Sequence, residues 1–543
     1  MLTYSFAERG QLSLYEHLYR CIRDDIEQGR IAAGEKMPSK RSFAKHLGVS
    51  LITVEGAYAQ LVAEGYLRSE PRRGFYACEV ACPPAGSSRH ASGKVLGSVR
   101  TVDEAKGPTA RDAARPNAIR SGEASASNLS ESVEAIDSRP SSGIFADFTG
   151  ASDLPDAFPY GSWAKSVRET LICESEEVLV GQVPAAGTFR LRKAIAGHLQ
   201  SFRGMDVDSE CIVVGAGSQV LYNLIVQLLG RDLRFGVEDP GYARLRQIYH
   251  ANDVVLSALP LEEQGICLAA AYEANVNVLH LMPSHQYPTG IVTSVGRRYE
   301  LLAWAAEQDS RFIIEDDYDC EFRLTGRPIP SLQSIDALGK VIYVNTFTKS
   351  LGPAFRIGYM VLPPELAQRF RDKLGFYSCT VSAIDQLALA RFIEGGDFER
   401  HVNRMRTRYR DRRDALIAQL QQSALRDRMV VSAQDAGIHF LLGIKPSSGA
   451  SVAAWEQAFV LSAGKRGVSL RPVSSFYAND GERNVGSNGS SFASAMAFVS
   501  GDSQPTMPQF VISYGGVSED ALPAAVGVLE KAAEAADNAC SAL

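Results

Sequence analysis

Apolar residues recur at every fourth position near the start of the chain, at Leu14, Leu18, Ile22 and Ile26. This spacing places them on one face and predicts an amphipathic helix that Gly29 ends. Ser39 and Ser50 suit the starts of two further helices, because a serine hydroxyl can accept a hydrogen bond from a free backbone N–H group. Short apolar runs at 66–68 and 74–76 then predict two strands. We therefore expect helices followed by a hairpin in residues 1–80.

This order of elements is typical of a winged helix–turn–helix, which binds double-stranded DNA. The third helix of such a module enters the major groove by its N-terminal residues, which here include Ser50 and Thr53. The basic residues that we expect to contact phosphates are Lys40, Arg41, Lys45, Arg72 and Arg73. A helical module that binds protein rather than DNA is the alternative interpretation.

From Cys211 onward, strand-like apolar runs alternate with helical stretches. This alternation predicts an α/β fold with a mainly parallel central sheet. The apolar run at 341–344 leads into a turn that is rich in hydroxyl groups and carries Lys349. The run at 311–314 ends in a group of acidic residues. Both run ends are candidate sites, because α/β sheets bind ligands at the carboxyl ends of their parallel strands.

Lys349 is a candidate for covalent attachment to an aldehyde, because a lysine at the end of a buried strand can react as a free amine. The hydroxyl groups of Thr346 and Thr348 and the guanidinium of Arg356 suit a phosphate group. Lysine, hydroxyls and arginine together indicate pyridoxal phosphate. A surface lysine in a strand–loop–strand unit is the alternative interpretation.

The acidic strand end supports the same cofactor. A pyridine nitrogen that is to stay protonated needs a carboxylate partner, and Asp316 could supply it. Tyr318 lies two residues farther on and, in strand geometry, would share the face of Asp316 and reach a ring oxygen. The alternatives are a solvated acidic strand end and a metal site.

A glycine-rich turn offers a place for the phosphate. The apolar run at 212–214 is followed by Gly215 and Ala216, and then by Gly217, Ser218 and Gln219, which open a predicted helix. Free N–H groups and the positive end of the helix dipole would face an anion there. An ordinary strand-to-helix turn is the alternative, and the presence of Lys349 favours phosphate binding.

The chain has 543 residues, which is enough for several domains, and a net charge of −6, which excludes a globally basic nucleic-acid binder. Its nine cysteines form no CxxC pair, and no apolar run approaches the ~20 residues of a membrane span. We therefore expect a cytoplasmic protein without a membrane segment. Residues 81–145 are rich in Ala, Ser, Gly and Pro, which predicts a flexible linker that would allow the DNA-binding module to sit far from the large domain. Residues 146–543 form the ligand-binding domain, with an insertion at about 478–508.

Several motifs carry a family resemblance. The run MPSKRSFAKHLGVS, with AYAQLVAEGYL after it, resembles the GntR-type winged helix–turn–helix. The runs GQVPAAGTFRLRKAIAGHLQ and HQYPTG resemble fold type I aminotransferases, and the fusion is similar to the MocR/GabR family of regulators. The resemblance implies a smaller C-terminal α+β subdomain, pyridoxal phosphate held as an aldimine on Lys349, and a domain-swapped homodimer. It also implies an amine or vitamin B6-related effector that displaces Lys349.

The resemblance assigns roles to further residues. Tyr242 would lie against the cofactor ring, Arg244 would meet the carboxylate of the effector, and Tyr287 stands where enzymes commonly carry an asparagine. Several positions depart from the family pattern. Leu51 replaces an arginine that would contact bases, Gln182 replaces a tyrosine that reaches the partner's phosphate, and Val511 replaces an arginine that grips a carboxylate.

These departures leave alternatives open. The module could contact thymine methyl groups, prefer another operator or lack specific DNA binding. The effector could be other than a simple amino acid, or Arg471 could substitute for the arginine that is absent at Val511. We expect a transcription regulator that senses an amine. The alternatives are an active aminotransferase with an appended DNA-binding module and a repressor whose large domain only dimerises.

Overall fold

The computed structural model describes residues 2, 4, 6, 13–70, 73–79, 143–150, 157–324, 330–434, 437–447, 451–478 and 507–541. Most of the predicted linker (81–145), most of the insertion (478–508) and Arg72 lie outside the described residues. Residues 1–82 and 144–543 belong to one compact unit. Within the described parts of the chain, no helix is long and apolar enough to cross a membrane.

The N-terminal module has the predicted order of elements. Its elements are α1 (Leu14–Glu27), α2 (Lys40–Leu47), α3 (Leu51–Ala63), β1 (Leu67–Glu70) and β2 (Gly74–Ala77). The two strands form an antiparallel hairpin. Ser39 and Ser50 act as the predicted caps, since Ser39 Oγ accepts from the N–H of Ser42 and Ser50 Oγ from the N–H of Thr53, each at 3.2 Å. Local sequence signals therefore determine the limits of these helices.

Strands of the remaining chain are β3 (Ala146–Asp147), β4 (Ile212–Gly215), β5 (Arg234–Asp239), β6 (Val255–Glu262), β7 (Gly265–Ile266), β8 (Val278–Leu281), β9 (Phe312–Asp316), β10 (Val341–Thr346), β11 (Gly358–Val361), β12 (Met429–Ser432), β13 (His439–Ile444), β14 (Val468–Ser469), β15 (Arg471–Pro472) and β16 (Gln509–Ser513). The central sheet has the order β4-β11-β10-β9-β8-β5-β6-β7. The five adjacent strands β10, β9, β8, β5 and β6 run parallel to one another. In contrast, β11 runs antiparallel to β10 and β4, and β7 runs antiparallel to β6.

Helices of the large domain are α4 (Tyr160–Cys173), α5 (Glu176–Val180), α6 (Phe189–Arg203), α7 (Ser218–Leu229), α8 (Ala243–Ala251), α9 (Leu268–Glu273), α10 (Val295–Ala306), α11 (Leu332–Ile335), α12 (Thr348–Leu351), α13 (Pro364–Leu374) and α14 (Ala383–Glu394). They cover both faces of the sheet. Val344 of β10 packs with Leu221 of α7, whereas its neighbour Tyr343 packs with Leu191 of α6. Alternate side chains of a strand point to opposite faces, so burial on both faces requires the continuous apolar runs in the sequence.

The C-terminal part contains α15 (Asp397–Gln422), α16 (Val452–Lys465) and α17 (Leu522–Ser541). They pack on an antiparallel sheet with the order β12-β13-β16-β15. Trp455 and Phe459 of α16 and Phe510 of β16 are fully buried in the core between them. The predicted fold class, a mostly parallel α/β sheet with a smaller α+β subdomain and a winged helix–turn–helix, is confirmed.

The position of the N-terminal module differs from the expectation of a module held at a distance. Val295, the first residue of α10, is buried in the apolar core of the winged helix–turn–helix. Its N–H donates to the carbonyl oxygen of Glu64 at 3.1 Å. The module therefore packs on the large domain of its own chain. The sequence could not show this contact, because it joins segments that are distant in the chain.

Candidate functional site

Strand register brings the predicted site residues to one edge of the central sheet. Asp316 of β9 pairs with Val344 of β10, and Thr346 at the end of β10 pairs with Gly358 of β11. Gly358 in turn pairs with Gly215, the last residue of β4. The turns that follow β4, β9 and β10 therefore lie side by side at this edge.

The turn after β4 and the turn before β11 together form a cup, which is the predicted phosphate-binding site. Gly217 has a φ of +83°, and a Cβ atom at this position would collide with the guanidinium of Arg356. Arg356 is exposed, and its Nη2 donates to the carbonyl of Ala216 at 3.5 Å. The free N–H groups of Ser218 and Gln219 begin α7, where the helix dipole is positive. The structure thus brings together the predicted phosphate-binding groups on this side.

Lys349 lies in the single turn α12, directly after the fully buried strand β10. Thr346 is buried at the end of that strand, and Thr348 and Lys349 are half-buried. The turn is fixed from below, since the ring of His401 hydrogen-bonds the carbonyl oxygen of Ser350 at 2.6 Å. The lysine is therefore presented from a rigid support at the same edge as the cup.

Asp316 has one carboxylate oxygen with a partner and one without. Its side chain is 4% exposed, and Tyr222 Oη donates to Oδ2 at 2.5 Å. His280 Nε2 lies 3.5 Å from the same oxygen. Oδ1 is buried and has no hydrogen-bond partner in the described part of the chain. A buried carboxylate oxygen normally has a donor, so Oδ1 fits the protonated nitrogen of a pyridine ring.

Tyr222 and His280 were absent from the sequence-based prediction. Burial, followed by the nearby charge of Asp316, raises the pKa of Tyr222 well above its usual value, so its hydroxyl stays protonated and donates. Tyr249 Oη lies 2.6 Å from His280 Nδ1 and extends the network behind the carboxylate. No sequence motif marks these residues. Only the packing of α7, α8 and β8 around Asp316 brings them together.

Three predicted tyrosines meet in front of this edge. The ring centroid of Tyr287 lies 6.3 Å from that of Tyr242 and 6.3 Å from that of Tyr318, with near-perpendicular planes. Burial raises the pKa of Tyr287 to about 12, so the hydroxyl remains a donor at neutral pH. Tyr287 therefore lies between the two other tyrosines that were predicted to surround a cofactor ring.

A histidine pair adjoins Tyr318. His285 Nδ1 lies 2.8 Å from Asp319 Oδ2 and 3.2 Å from Tyr318 Oη, and its ring centroid is 4.5 Å from that of His439. One donor atom from each of His285, Asp319 and His439 lies within 4.8 Å of the others. No sequence pattern predicts this cluster, since His439 comes from β13 of the C-terminal subdomain. Burial lowers the pKa of His439 well below its usual value, so this ring is neutral.

Comparisons with known proteins match both parts of the chain. Residues 14–77 match the model of bacterial regulatory proteins of the gntR family, and residues 158–485 match aminotransferase class I and II. The probable rhizopine catabolism regulatory protein MocR of Rhizobium meliloti is 31% identical over 80% of this chain and 82% of its own length. The chain belongs to the MocR-type transcriptional regulators.

Other known proteins are similar to most of the length of this MocR-type regulator. The uncharacterized HTH-type transcriptional regulator YdeL of Bacillus subtilis is 36% identical over 86% of this chain and 90% of its own length. Among solved structures, kynurenine aminotransferase of Pyrococcus horikoshii is 24% identical, with a TM-score of 0.60 over 76% of this chain and 95% of its own. That likeness shows the fold of the large domain.

The positions that depart from the family pattern have clear surroundings. Val511 is 1% exposed and packs with Phe476 and the half-buried Tyr287 in an apolar cluster. Arg471 pairs directly with Val511 across the β15–β16 ladder. Arg244 is exposed on the first turn of α8. The structure therefore offers two arginines near the site, neither of them at the position of Val511.

The tip of the recognition helix α3 is apolar. Ile52 is 79% exposed and Leu51 is 37% exposed, whereas Thr53 is buried. The hydroxyl groups of Ser50 and Thr53 hydrogen-bond each other at 2.8 Å. Ser50 and Thr53 therefore take part in hydrogen bonds at the start of the helix, and their contacts to DNA stay a prediction. The side chains that α3 presents at its tip are Leu51 and Ile52.

The basic residues of the module remain available to phosphates. Arg41, Lys45 and Arg73 are exposed. Lys40 is half-buried and lies over the ring of Phe75, with its Nζ 5.2 Å from the ring centroid. They stay predicted phosphate contacts.

Glu238 makes the stability of the regulator depend on pH. It lies at the end of β5, where the N–H of Met282 and Gln286 Nε2 donate to its Oε2 at 3.2 and 3.4 Å. Burial raises the pKa of Glu238 from 4.5 to about 8. The folded state therefore binds a proton that the unfolded state releases above pH 4.5. The contribution of Glu238 to the free energy of unfolding should fall by at most about 1.4 kcal/mol per pH unit between pH 4.5 and 8.

Glu238→Gln should reduce this slope, because glutamine keeps the shape and does not titrate. Urea unfolding at a series of pH values from 5 to 9 measures the effect. Part of the slope should remain, since burial also raises the pKa of Glu315 and of Glu321 to about 7. An unchanged slope in the variant would show that Glu238 is not the group that titrates.

Proposed function

We propose that this regulator binds pyridoxal phosphate on Lys349 and uses it to sense an amine. The observation that carries the proposal is the buried, unpartnered Oδ1 of Asp316, on the strand next to the one that leads to Lys349. The aminotransferase-like fold and the relatives support it. One relative, which is 31% identical, is the pyridoxine biosynthesis transcriptional regulator PdxR of Corynebacterium glutamicum.

Each side chain of the site has a defined task. Pyridoxal phosphate supplies an aldehyde that reacts with amines and a ring that withdraws electrons. Lys349 would hold the cofactor covalently, and Asp316 would keep the ring nitrogen protonated. Tyr318 and Tyr287 would donate to oxygen atoms of the cofactor, and Tyr242 would pack against its ring. The cup formed by Gly217, Ser218, Gln219, Thr346, Thr348 and Arg356 binds the phosphate.

The effector should carry an anionic group in addition to its amine. Arg471 lies across the ladder from Val511, and its charge lowers the pKa of Tyr287 against the larger effect of burial. Val511 and Tyr287 belong to the same apolar cluster, so Arg471 adjoins the tyrosines of the site. Arg244 on α8 is the second candidate for the same task. The amine would displace Lys349, and the anionic group would select among amines, including those related to vitamin B6.

The winged helix–turn–helix supplies the output. We propose that the regulator acts in the cytoplasm as a homodimer in which modules can be exchanged between chains, and that Lys40, Arg41, Lys45, Arg72 and Arg73 contact DNA phosphates. The apolar side chains of Leu51 and Ile52 would contact bases. The apolar group that bases present in the major groove is the methyl group of thymine. Effector binding would change the affinity for DNA only if the effector binds the two states of the protein unequally.

An amine panel tests the proposal. Purified protein, loaded with pyridoxal phosphate, is mixed with amines that differ in their anionic group, and the absorption of the bound cofactor is recorded. DNA affinity is measured on a fragment that the protein selects from a random pool. We expect an amine that shifts the absorption and changes the DNA affinity without releasing a keto acid. Release of a keto acid over many turnovers would instead indicate an aminotransferase with an appended DNA-binding module.

A further inference from the structure

The recognition helix α3 and the helix α10 of the large domain meet end to end. The carbonyl oxygen of Glu64, the C-cap residue of α3, accepts a hydrogen bond from the N–H of Val295, the first residue of α10, at 3.1 Å. Helix ends leave such carbonyl and N–H groups without intrahelical partners. The negative end of one helix dipole therefore faces the positive end of the other, which stabilises the contact.

The contact is closely fitted. Val295 is 4% exposed and packs in the core of the module. Gly65 has a φ of +81°, and a Cβ atom there would lie 3.0 Å from Ser294 Cβ, closer than side chains normally pack. Glu64 is 1% exposed, and its carboxylate accepts from Tyr19 Oη at 2.6 Å. The end of α3 is thus held in place from both domains.

The other side of α10 is tied to the tyrosine-bearing loop of the site. Residues 283–293 form this loop, which carries Tyr287 and runs directly into α10. Arg298 of α10 is 1% exposed and donates to the carbonyls of Thr293 and Pro283 at 3.0 and 2.9 Å. The N–H of Thr293 also donates to the carbonyl of Pro283 at 2.9 Å. Both ends of the loop are therefore fixed to the helix on which the module rests.

We propose that the N-terminal end of α10 is the docking surface through which ligand occupancy at the Tyr287 loop reaches the recognition helix. The partner that occupies it is the winged helix–turn–helix module, which sits there in this structure. The inference rests on the proposed function for the identity of the ligand. When a ligand selects one position of this loop, Ser294 and Val295 move with the loop. Because these residues support α3, the position of α3 changes as well. The contact between Glu64 and Val295 is the element that ligand binding strengthens or weakens.

Val295→Asp tests the contact with little harm to α10. A carboxylate at the first position of a helix favours that helix, because it faces the positive end of the dipole. The same carboxylate would face the carbonyl end of α3 and disrupt the docking. Val452→Asp is the matched control. Val452 is the first residue of α16, so this substitution adds the same charge at a helix start. Val295→Ala is a milder second variant that guards against misfolding of the module.

Hydrogen exchange of the full-length protein, measured by mass spectrometry with and without pyridoxal phosphate, gives the readout. In the wild type and in Val452→Asp, the cofactor should slow exchange in peptides 283–293 and 58–66. In Val295→Asp, it should slow exchange in 283–293 alone, and 58–66 should exchange roughly tenfold faster even without cofactor, because a buried valine contact is lost. Val295→Ala should lie between the two.

Two results would overturn the inference. One is a wild-type response of peptide 58–66 in Val295→Asp. The other is a wild type in which the cofactor protects 283–293 but never 58–66. Failure of the proposed function looks different, because pyridoxal phosphate would then leave peptide 283–293 unchanged in every variant and produce no new absorption. In that case the proposed transmission of ligand occupancy to α3 would be refuted too. Faster exchange of 58–66 in Val295→Asp would still establish that the module docks on α10.

Discussion

Lys349→Ala protein should bind pyridoxal phosphate without any covalent bond. The wild type should show the absorption of covalently held cofactor, and after borohydride reduction the covalent label should survive denaturation. The variant should lose all of this label, because Lys349 is the only lysine in the described turn between β10 and β11. Its cup around Gly217 and its Asp316 remain, so weaker, reversible binding of the cofactor should persist. Absorption spectra and the intact mass after reduction measure both properties.

Lys340→Ala is the matched control. Lys340 directly precedes β10, at the opposite end of the strand from Lys349, and its Nζ donates to the carbonyl of Gln308 at 3.1 Å. This variant should retain the full covalent label. Label that survives in Lys349→Ala, or that disappears in Lys340→Ala, would place the attachment on another residue. Absence of label in the wild type would refute the cofactor assignment itself.

Replacement by asparagine should affect different properties at two adjacent acids: cofactor affinity at Asp316 and stability at Asp317. Asp316→Asn should weaken pyridoxal phosphate binding by about 10- to 100-fold, because a hydrogen bond to a charged group contributes about 1.5–3 kcal/mol. The stability of the cofactor-free protein should hardly change, since the amide oxygen can still accept from Tyr222 Oη. Titration of the cofactor by absorption and urea unfolding without cofactor separate these effects.

Asp317→Asn should instead destabilise the protein by about 3 to 5 kcal/mol, because it removes one partner of a buried ion pair. Asp317 and Arg203 are each 1% exposed and paired, and Tyr343 Oη also donates to Asp317 Oδ2 at 2.7 Å. The neighbouring position is therefore a control for general damage at the strand end. Equal losses of stability in both variants, or unchanged cofactor affinity in Asp316→Asn, would contradict the assigned roles.

Much of the site could be predicted because its signals are local. Ser39 and Ser50 mark helix starts within a few residues, and the apolar run before Lys349 marks a buried strand that leads into a reactive turn. Asp316 likewise follows an apolar run. Such features depend on neighbours in sequence, so one chain contains enough information to find them. Prediction of the cup required one further inference, namely that the ends of parallel strands meet at one edge of the sheet.

The parts that were missed depend on contacts between distant segments. His439 reaches His285 only because β13 of the C-terminal subdomain packs beside the site. In the sequence, Tyr222 is indistinguishable from the other apolar positions of α7. Only the folded sheet places Asp316 next to it. The docking of Val295 on the module had no signal either, since a valine at a helix start is ordinary.

The strand order of the central sheet has a consequence for assembly. Arg356 and Ala216, which meet in the cup, are 140 residues apart in the chain. They come together only when β11 inserts between β4 and β10, which is a long-range pairing and hence slow to form. A newly made chain therefore has no complete cup until almost the whole sheet exists. The phosphate of a cofactor would bind, and so trap, only chains whose synthesis and folding have passed this point.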